Sequence, residues 1–292
     1  MPQQEERRVA VVTGASRGLG KGIALALGEA GYVVYVTGRT VDAGTHDLGG
    51  TVGETAREVT GRGGTGVAVA CDHRDDGAVA AVVARVGTEQ GRLDLLVNNA
   101  FAVPDGVTSA RGFWEKPLDA AMMFDVGLRS TYTMTWHAAP LLLASAPRSP
   151  LVVNVSGFGA VCYLHGPAYG AVKAGVDKMT HDMAVDLDGT GVSVVALWPG
   201  LLRTERTMRV VDGDPELYRD SLPIMEHPEL TGRAIAALDA GLPAAKQRRS
   251  GRALIGAELA TELGVTDVDG RVPVSRRSLL GGPLAYSDAV VR

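Results

Sequence analysis

Residues 8–20 read RVAVVTGASRGLG. The apolar run at 8–13 has the composition of a short buried strand, and it stops at small residues that include Gly14, Gly18 and Gly20. From Leu19 to Ala30 apolar residues recur at helical spacing until Gly31 ends the pattern. Strand, glycine turn and helix in that order build a phosphate cradle. Glycine tolerates positive φ and close backbone approach, and a helix N-terminus offers unpaired N–H groups with a partial positive charge. A nucleotide pyrophosphate is therefore expected on Gly14, Ser16, Arg17, Gly18, Leu19 and Gly20.

The pattern repeats outward from this unit. VVYVT (33–37), GVAVACD (66–72), LDLLVNN (93–99), LVVNVS (151–156), GVSVVALW (191–198) and GRALIGA (251–257) read as strands, with helix-length segments between them. Near-continuous Val, Leu and Ala runs belong to a parallel sheet covered on both faces, so the fold class is α/β and doubly wound. No Pro/Ser-rich linker, repeat or low-complexity tract divides the chain, which predicts one domain over 1–292 with a core at 8–257. The least regular stretch, 201–226, carries mixed charge, Met208, Tyr218, Met225 and two prolines, and reads either as a substrate loop or lid or as a tolerated surface insertion. An extension, 258–292, follows the core. The basic stretches KQRRSGR (246–252) and VSRR (274–277) read as solvated faces.

With 292 residues, 46% hydrophobic and 21% charged, the composition is that of a globular protein with a sizeable core. A net charge of -4 gives no general basic field for nucleic acid or anionic membrane. No segment reaches about 18 consecutive apolar residues, the length a spanning helix needs, and the start, MPQQEERR, lacks an apolar leader core. Cys71 and Cys162 lie far apart without a C-x-x-C spacing, which suits a reducing cytoplasm. The histidines show no metal-ligand spacing, so no metal is expected.

About 20 residues past such a turn, at the end of the second strand, an acid ordinarily binds the ribose of NAD. Here VTGRT places Arg39 instead. A guanidinium cannot accept from a hydroxyl but pairs bidentately with a 2'-phosphate, and Arg17 lies within reach of the same group, which favours NADP(H) over NAD(H). Two solvated arginines, with Asp42 serving NAD, form the competing reading.

Further on, YGAVKAG sets Tyr169 and Lys173 four residues apart, with Ser156 upstream. On a helix these two side chains share a face. Bringing a phenol from a pKa of about 10 to about 7 takes about 4 kcal/mol, and one ammonium about 4 Å away at an effective dielectric of about 20 supplies a contribution of that size. Alone, such a pair on an amphipathic helix is usually a half-buried ring beside a solvated amine.

With the glycine turn, NNA at 98–100, Ser156, Tyr169-x-x-x-Lys173 and WPG at 198–200 in order, the chain resembles the classical short-chain dehydrogenases/reductases over roughly residues 8–257. Within them, NNAFA, VGLRSTY, LWPGLLRTE and ELGVTDVDGR are similar to the member 1 branch of the dehydrogenase/reductase SDR group and its bacterial relatives. The resemblance implies a single Rossmann-type domain with seven strands in the order 3-2-1-4-5-6-7, and hydride exchange between a nicotinamide and a carbonyl or secondary alcohol. It implies that Tyr169 is the general acid in reduction and the base in oxidation. Lys173 would lower the tyrosine pKa and bind the nicotinamide ribose, and Ser156 would hold the substrate oxygen. By the same resemblance Asp72 contacts adenine. Asn98 and Ala100 join the cofactor contacts, Asn98 also bracing the central strand, while Pro199 and Gly200 border the nicotinamide and Thr204 lies near its carboxamide.

One position departs from the family pattern. The helix after the fourth strand ordinarily carries an asparagine that links the lysine to a water path, and FDVGLRSTY holds Gly127 in that slot. Glycine offers no side chain for the task and leaves room for water or neighbouring backbone. Two functions follow as expectations: an NADP(H)-dependent reductase or dehydrogenase acting on a bulky, mostly apolar carbonyl or alcohol, or an NADP(H)-binding redox sensor or scaffold without turnover. Phe101, Phe113, Trp114, Tyr163 and Met208 fall in loops after strand ends, where they either line the substrate pocket or merely pack, with Cys162 and His165 at its border. By resemblance, helices over 117–146 and 167–188 pair across two-fold axes in a homodimer or homotetramer, although burial within one chain accounts for their apolar content equally.

Overall fold

A computed structural model describes residues 7–291; of the start MPQQEERR, on which the expectation about a leader rested, residues 1–6 lie outside the described residues. The apolar runs form β1 (Val9–Val12), β2 (Val33–Gly38), β3 (Thr65–Ala70), β4 (Leu95–Asn98), β5 (Leu151–Val155), β6 (Ser193–Trp198) and β7 (Ala253–Ile255). All pair in parallel, in the order β3-β2-β1-β4-β5-β6-β7. The seven-stranded, doubly wound sheet expected from the sequence is the sheet observed.

Alternation along β1 shows how both faces are filled. Ala10 and Val12 join the core that holds Val34, Val36, Leu95 and Val153, while Val9 and Val11 join Tyr35, Leu96, Val152 and Val194 on the other side. Each fully buried Val or Leu contributes about 1.5–3 kcal/mol, so the sheet requires helices on both faces. These are α1 (Gly18–Glu29), α2 (Val52–Gly61), α3 (Asp76–Gln90), α4 (Ser130–Ala144), α5 (Pro167–Asp186), α6 (Glu205–Gly213), α7 (Pro228–Ala240), α8 (Pro243–Gln247), α9 (Gly256–Glu262) and a last turn, α10 (Arg277–Leu280). None of the described helices is long and apolar enough to cross a membrane.

Local chemistry sets several ends. Thr51 and Glu54 form a capping box at the start of α2, with reciprocal bonds of 3.0 and 2.9 Å. Asp75 caps α3, Gly91 ends it in the left-handed region, and Pro167 opens α5 at a position where a missing N–H costs nothing.

Four expectations shift. The last strand stops at Ile255, because only three residues pair with β6, and Gly256 begins α9. The region 201–226 is more regular than its composition suggests, since Thr204 accepts from the Thr207 amide and starts the nine-residue α6. The helix expected over 117–146 is broken into a 3-10 turn at Leu118–Ala121, a π-helical stretch at Phe124–Arg129 and then α4. The solvated reading of KQRRSGR also fails at Lys246, which is buried and donates to the Ser149 and Asp239 carbonyls.

Candidate active site

The strand order reverses between β1 and β4, and the crevice at their carboxyl ends is where open α/β sheets take ligands. Gly14 and Gly18 occupy positive φ, 64° and 58°, which bends the chain from β1 into α1. A Cβ on Gly20 would overlap the Gly14 carbonyl oxygen and the Asn99 amide. Ser16 is buried beneath the turn and Leu19 is half-buried behind it. Ala100 stands against Gly14, with its amide donating to Thr13 Oγ1 at 2.9 Å. Of the neighbouring pair it is Asn99, passed over in the sequence, that reaches the turn, donating to the Thr13 and Gly14 carbonyls. Asn98 turns away and donates to Thr135 Oγ1 and Asn154 Oδ1, each at 2.9 Å, so its side chain braces β4 against β5 and α4.

Beside the turn lies a cluster of cations. Arg17 is held by the Gly49 and Gly50 carbonyls and by Thr40 Oγ1, so the segment between β2 and α2 folds back over it. Burial lowers the Arg17 pKa, and repulsion from Arg39 and Arg206 adds to the effect while Glu205 and Asp47 oppose it. Arg39 is exposed, and its side chain makes no hydrogen bond or ion pair among the described residues. Arg206 comes from α6, too distant in sequence to be associated with the turn. Asp72 is clasped by Arg74 at 2.6 Å, and that bond pulls its carboxyl down to about 2. The buried neighbour His73 shares a 2.8 Å bond with Thr37 Oγ1, and burial pushes it down to about 4.

On the other side of the crevice Ser156, Tyr169 and Lys173 come together at the end of β5 and the start of α5. Ser156 Oγ donates to the Lys173 carbonyl at 3.1 Å, and Lys173 Nζ donates to the Val155 carbonyl at 3.2 Å. The Tyr169 ring packs against Gly159, edge-on to Phe101 at 5.7 Å and to His165 at 5.1 Å. Burial pushes the Tyr169 phenol up to about 12, with the Cys162 thiol adding to it. The lowering by Lys173 expected from the four-residue spacing is absent in this arrangement. The ammonium is engaged by the Val155 carbonyl and the face of Phe101, 4.3 Å from the ring centroid, and burial pulls it down to about 8.

Phe101 also answers the question of the glycine slot. A Cβ at Gly127 would stand 2.7 Å from Phe101 Cε2 and 2.8 Å from Val172 Cγ1. The room left by the missing asparagine is therefore filled by an aromatic ring, not by water or backbone. Gly127 lies within the π-helical stretch, and its carbonyl accepts from Thr131 Oγ1 at 2.9 Å.

Trp198, Pro199 and Gly200 leave β6 along the third wall. The Gly200 amide donates to Glu226 Oε2 at 3.0 Å, and the chain at Leu202 pairs with Glu226, tying both ends of the 201–226 segment together. Burial pushes the Glu226 carboxyl up to about 7. Thr204, as the cap of α6, engages Thr207. Among the aromatic candidates Phe101 alone touches Tyr169 and Lys173; Phe113, Trp114 and Tyr163 are 63%, 76% and 79% exposed. Met208 is half-buried on α6 and Cys162 packs beside Phe158 and Trp198. Away from this crevice, His227, Asp267 and Asp269 bring potential ligand atoms within 4.8 Å of one another, but Asp267 accepts from the His227 amide and Asp269 pairs with Arg271.

Comparison with known proteins agrees with this geometry. The profile of the short chain dehydrogenase family matches residues 8–215. The chain is 38% identical to the Dehydrogenase/reductase SDR family member 1 of Mus musculus over 95% of its own length and 88% of that protein, and 38% identical to its Homo sapiens counterpart over 96% and 88%. A solved short-chain type dehydrogenase/reductase from Mycobacterium marinum superposes with a TM-score of 0.70 at 26% identity, covering 85% of this chain and 93% of that one. The sheet order, the glycine turn in its crevice and a match across most of the sequence lead to one conclusion: the chain belongs to the short-chain dehydrogenase/reductase family, and its chemistry is that of an oxidoreductase.

Proposed function

We propose that this protein is an NADP(H)-dependent carbonyl reductase or alcohol dehydrogenase in which Tyr169 moves the proton. The observation that carries this reading is the convergence of Ser156, Tyr169 and Lys173 beside the glycine turn, bridged by Ala100 and Phe101. The turn fits a dinucleotide: its backbone is bent at positive φ, and the Gly18 amide already binds a carboxylate, that of Glu205, as it would a phosphate. Gly14, Ser16, Arg17, Gly18, Leu19 and Gly20 would hold the pyrophosphate, with Asp72 and Ala100 toward the adenosine side and Pro199, Gly200 and Thr204 toward the nicotinamide. The repelling set Arg17, Arg39 and Arg206, in a chain of net charge -4, supports a 2'-phosphate as its occupant.

A bound nicotinamide supplies or accepts the hydride; the protein manages the substrate oxygen. Ser156 donates a hydrogen bond to it, and Tyr169 gives or takes the proton. A phenol pushed up to about 12 remains protonated at neutral pH, so Tyr169 is ready as an acid and the reading favours reduction. Lys173 holds the positive charge that stabilises the phenolate left after transfer. The substrate class is an apolar carbonyl entering past Phe101.

The whole chain reads as one catalytic domain in the cytoplasm. The exposed Tyr132, Trp136 and Leu143 on α4 support assembly into a homodimer or homotetramer through that helix. The Phe101 ring in the asparagine slot favours one alternative, a nicotinamide-binding sensor with little turnover. Tyr169→Phe separates the two: an enzyme loses carbonyl reduction while keeping NADPH affinity, and a sensor changes in neither. Retained reduction in that variant would sink the mechanism.

A further inference from the structure

An ammonium has three N–H donors and no acceptor, so burying one is costly unless electron-rich partners surround it. Lys173 is 6% exposed. Among the described residues its Nζ donates one hydrogen bond, to the Val155 carbonyl at 3.2 Å. The other close partner is the face of Phe101, whose ring centroid lies 4.3 Å from Nζ, well inside the roughly 6 Å over which a ring quadrupole attracts a cation. The Tyr169 centroid is farther off, at 5.6 Å.

The Phe101 ring is itself held in place. It follows the end of β4 and lies against Gly127, where a Cβ would stand 2.7 Å from Cε2 and 2.9 Å from Cδ2. Tyr169 meets it edge-on at 5.7 Å, and Met123 and Val172 belong to the same apolar cluster. These contacts keep the face turned toward the ammonium. The three positions therefore depend on one another in sequence: the bare Cα at 127 makes room for the ring, and the ring stands where it can meet the charge on Lys173.

We propose that Phe101 is a positioning residue for Lys173, its aromatic face keeping the ammonium charged and stationed beside the phenol that gives up a proton. This rests on the reductase reading above, in which Tyr169 becomes a phenolate during reduction. A neutral amine would lend that phenolate no charge, so the ring sets how high in pH the site still works. The titratable groups facing Lys173 are Tyr169 and Asp177, both on α5, while the ring from beyond β4 and the Val155 carbonyl of β5 carry no charge. Burial pulls the ammonium down to about 8 and Asp177 opposes the fall. Reduction should then slow as pH rises through about 8. Without the aromatic face the charged form loses a partner that the neutral amine does not need, so the same slowing should come at lower pH.

The test reads the lysine directly, in full-length protein labelled with 13C-lysine. The chain has five lysines, and the ε-carbon signal of Lys173 is the one lost in Lys173→Arg. It is expected to titrate near pH 8 in the wild type. In Phe101→Leu, which stays apolar and removes the face, the midpoint should move down by roughly one pH unit, and in Phe101→Tyr it should stay. Trifluorophenylalanine placed at 101 keeps the ring's shape and weakens its negative face, so it should also move the midpoint down, and it carries the test if the leucine variant does not fold. With NADPH and phenanthrenequinone as the carbonyl probe, Phe101→Leu should have a kcat about five- to tenfold below wild type at about pH 8.5 and nearly equal to it at about pH 6. A loss of equal size at both pH values, or a lysine midpoint indifferent to the ring, overturns the proposal. Tyr169→Phe keeps the two readings apart: if it is inactive, an unmoved lysine midpoint counts against Phe101 alone, and if it still reduces the probe, the reductase reading fails and this inference falls with it.

Discussion

The backbone N–H of Gly18 donates to the Glu205 carboxylate at 2.9 Å, so the first turn of α6 places an acid against the N-terminus of α1. That amide is one the helix cannot satisfy itself, and an anion there gains about 0.3–1 kcal/mol from the helix dipole. A pyrophosphate needs the same donor. Glu205→Gln, which keeps size and removes charge, should therefore bind NADPH about two- to fivefold more tightly by nicotinamide fluorescence titration. Equal affinity would mean that α6 leaves the turn without cost.

Arg39 should select the phosphorylated cofactor. A charge-assisted contact is worth about 1.5–3 kcal/mol, so Arg39→Asp should weaken NADPH binding by roughly 10- to 100-fold and leave NADH at least as tight as before. Competitive titration with both cofactors measures the ratio. A ratio that does not move assigns the 2'-phosphate elsewhere.

Gly127 and Phe101 should behave as one steric unit. Gly127→Asn restores the side chain common in the family but drives it into the ring, and overpacking of this kind costs about 1–3 kcal/mol. At about 2–4 °C per kcal/mol for a chain of this size, Tm should drop by several degrees. The double variant Gly127→Asn, Phe101→Ala should recover most of that loss. If the single variant melts with the wild type, the ring moves aside freely and the packing argument fails.

Glu226 makes stability depend on pH. Its carboxyl is pushed up to about 7 in the fold, from an ordinary value of 4.5. A raised acid stabilises the fold in its neutral form, so the contribution is complete below the unfolded value and is lost as pH rises through about 7. Glu226→Gln still accepts from the Gly200 amide and carries no buried charge. It should melt above wild type at pH 8, by an amount on the order of 1–3 kcal/mol, and match it near pH 4.5. Parallel melting curves at both pH values would rule this out.

What the sequence disclosed was local. The Gly14, Gly18 and Gly20 turn, the seven strand bodies and the Tyr169–Lys173 spacing each sit within a short window, where periodicity and backbone tolerance speak directly. Hidden features join residues from separate elements. Asp177 meets Trp198 across α5 and β6, Glu226 meets the Gly200 amide across the whole 201–226 segment, and Phe101 fills the space at Gly127. No spacing rule identifies such pairs, because only the folded chain, through its sheet order and the loops that leave it, brings them together. The Tyr169 phenol is instructive in the same way: four-residue spacing predicts a nearby ammonium, whereas burial and the aromatic face of Phe101 decide what that ammonium does.

The segment after α9 folds back onto the stretch 223–227 and onto Phe158 and Trp198. Arg271 donates to the Pro223 and Met225 carbonyls, Asp267 accepts from the His227 amide, and Leu280 packs near Phe158 and Trp198. Ser156, Tyr169 and Lys173 are carried by the end of β5 and by α5, while the stretch 223–227 is tied down by residues that follow α9. A substitution in that tail would thus loosen the seat of Glu226 and Trp198 without replacing any of the three converging side chains, so a change far along the chain can be felt at the crevice while its own residues stay the same.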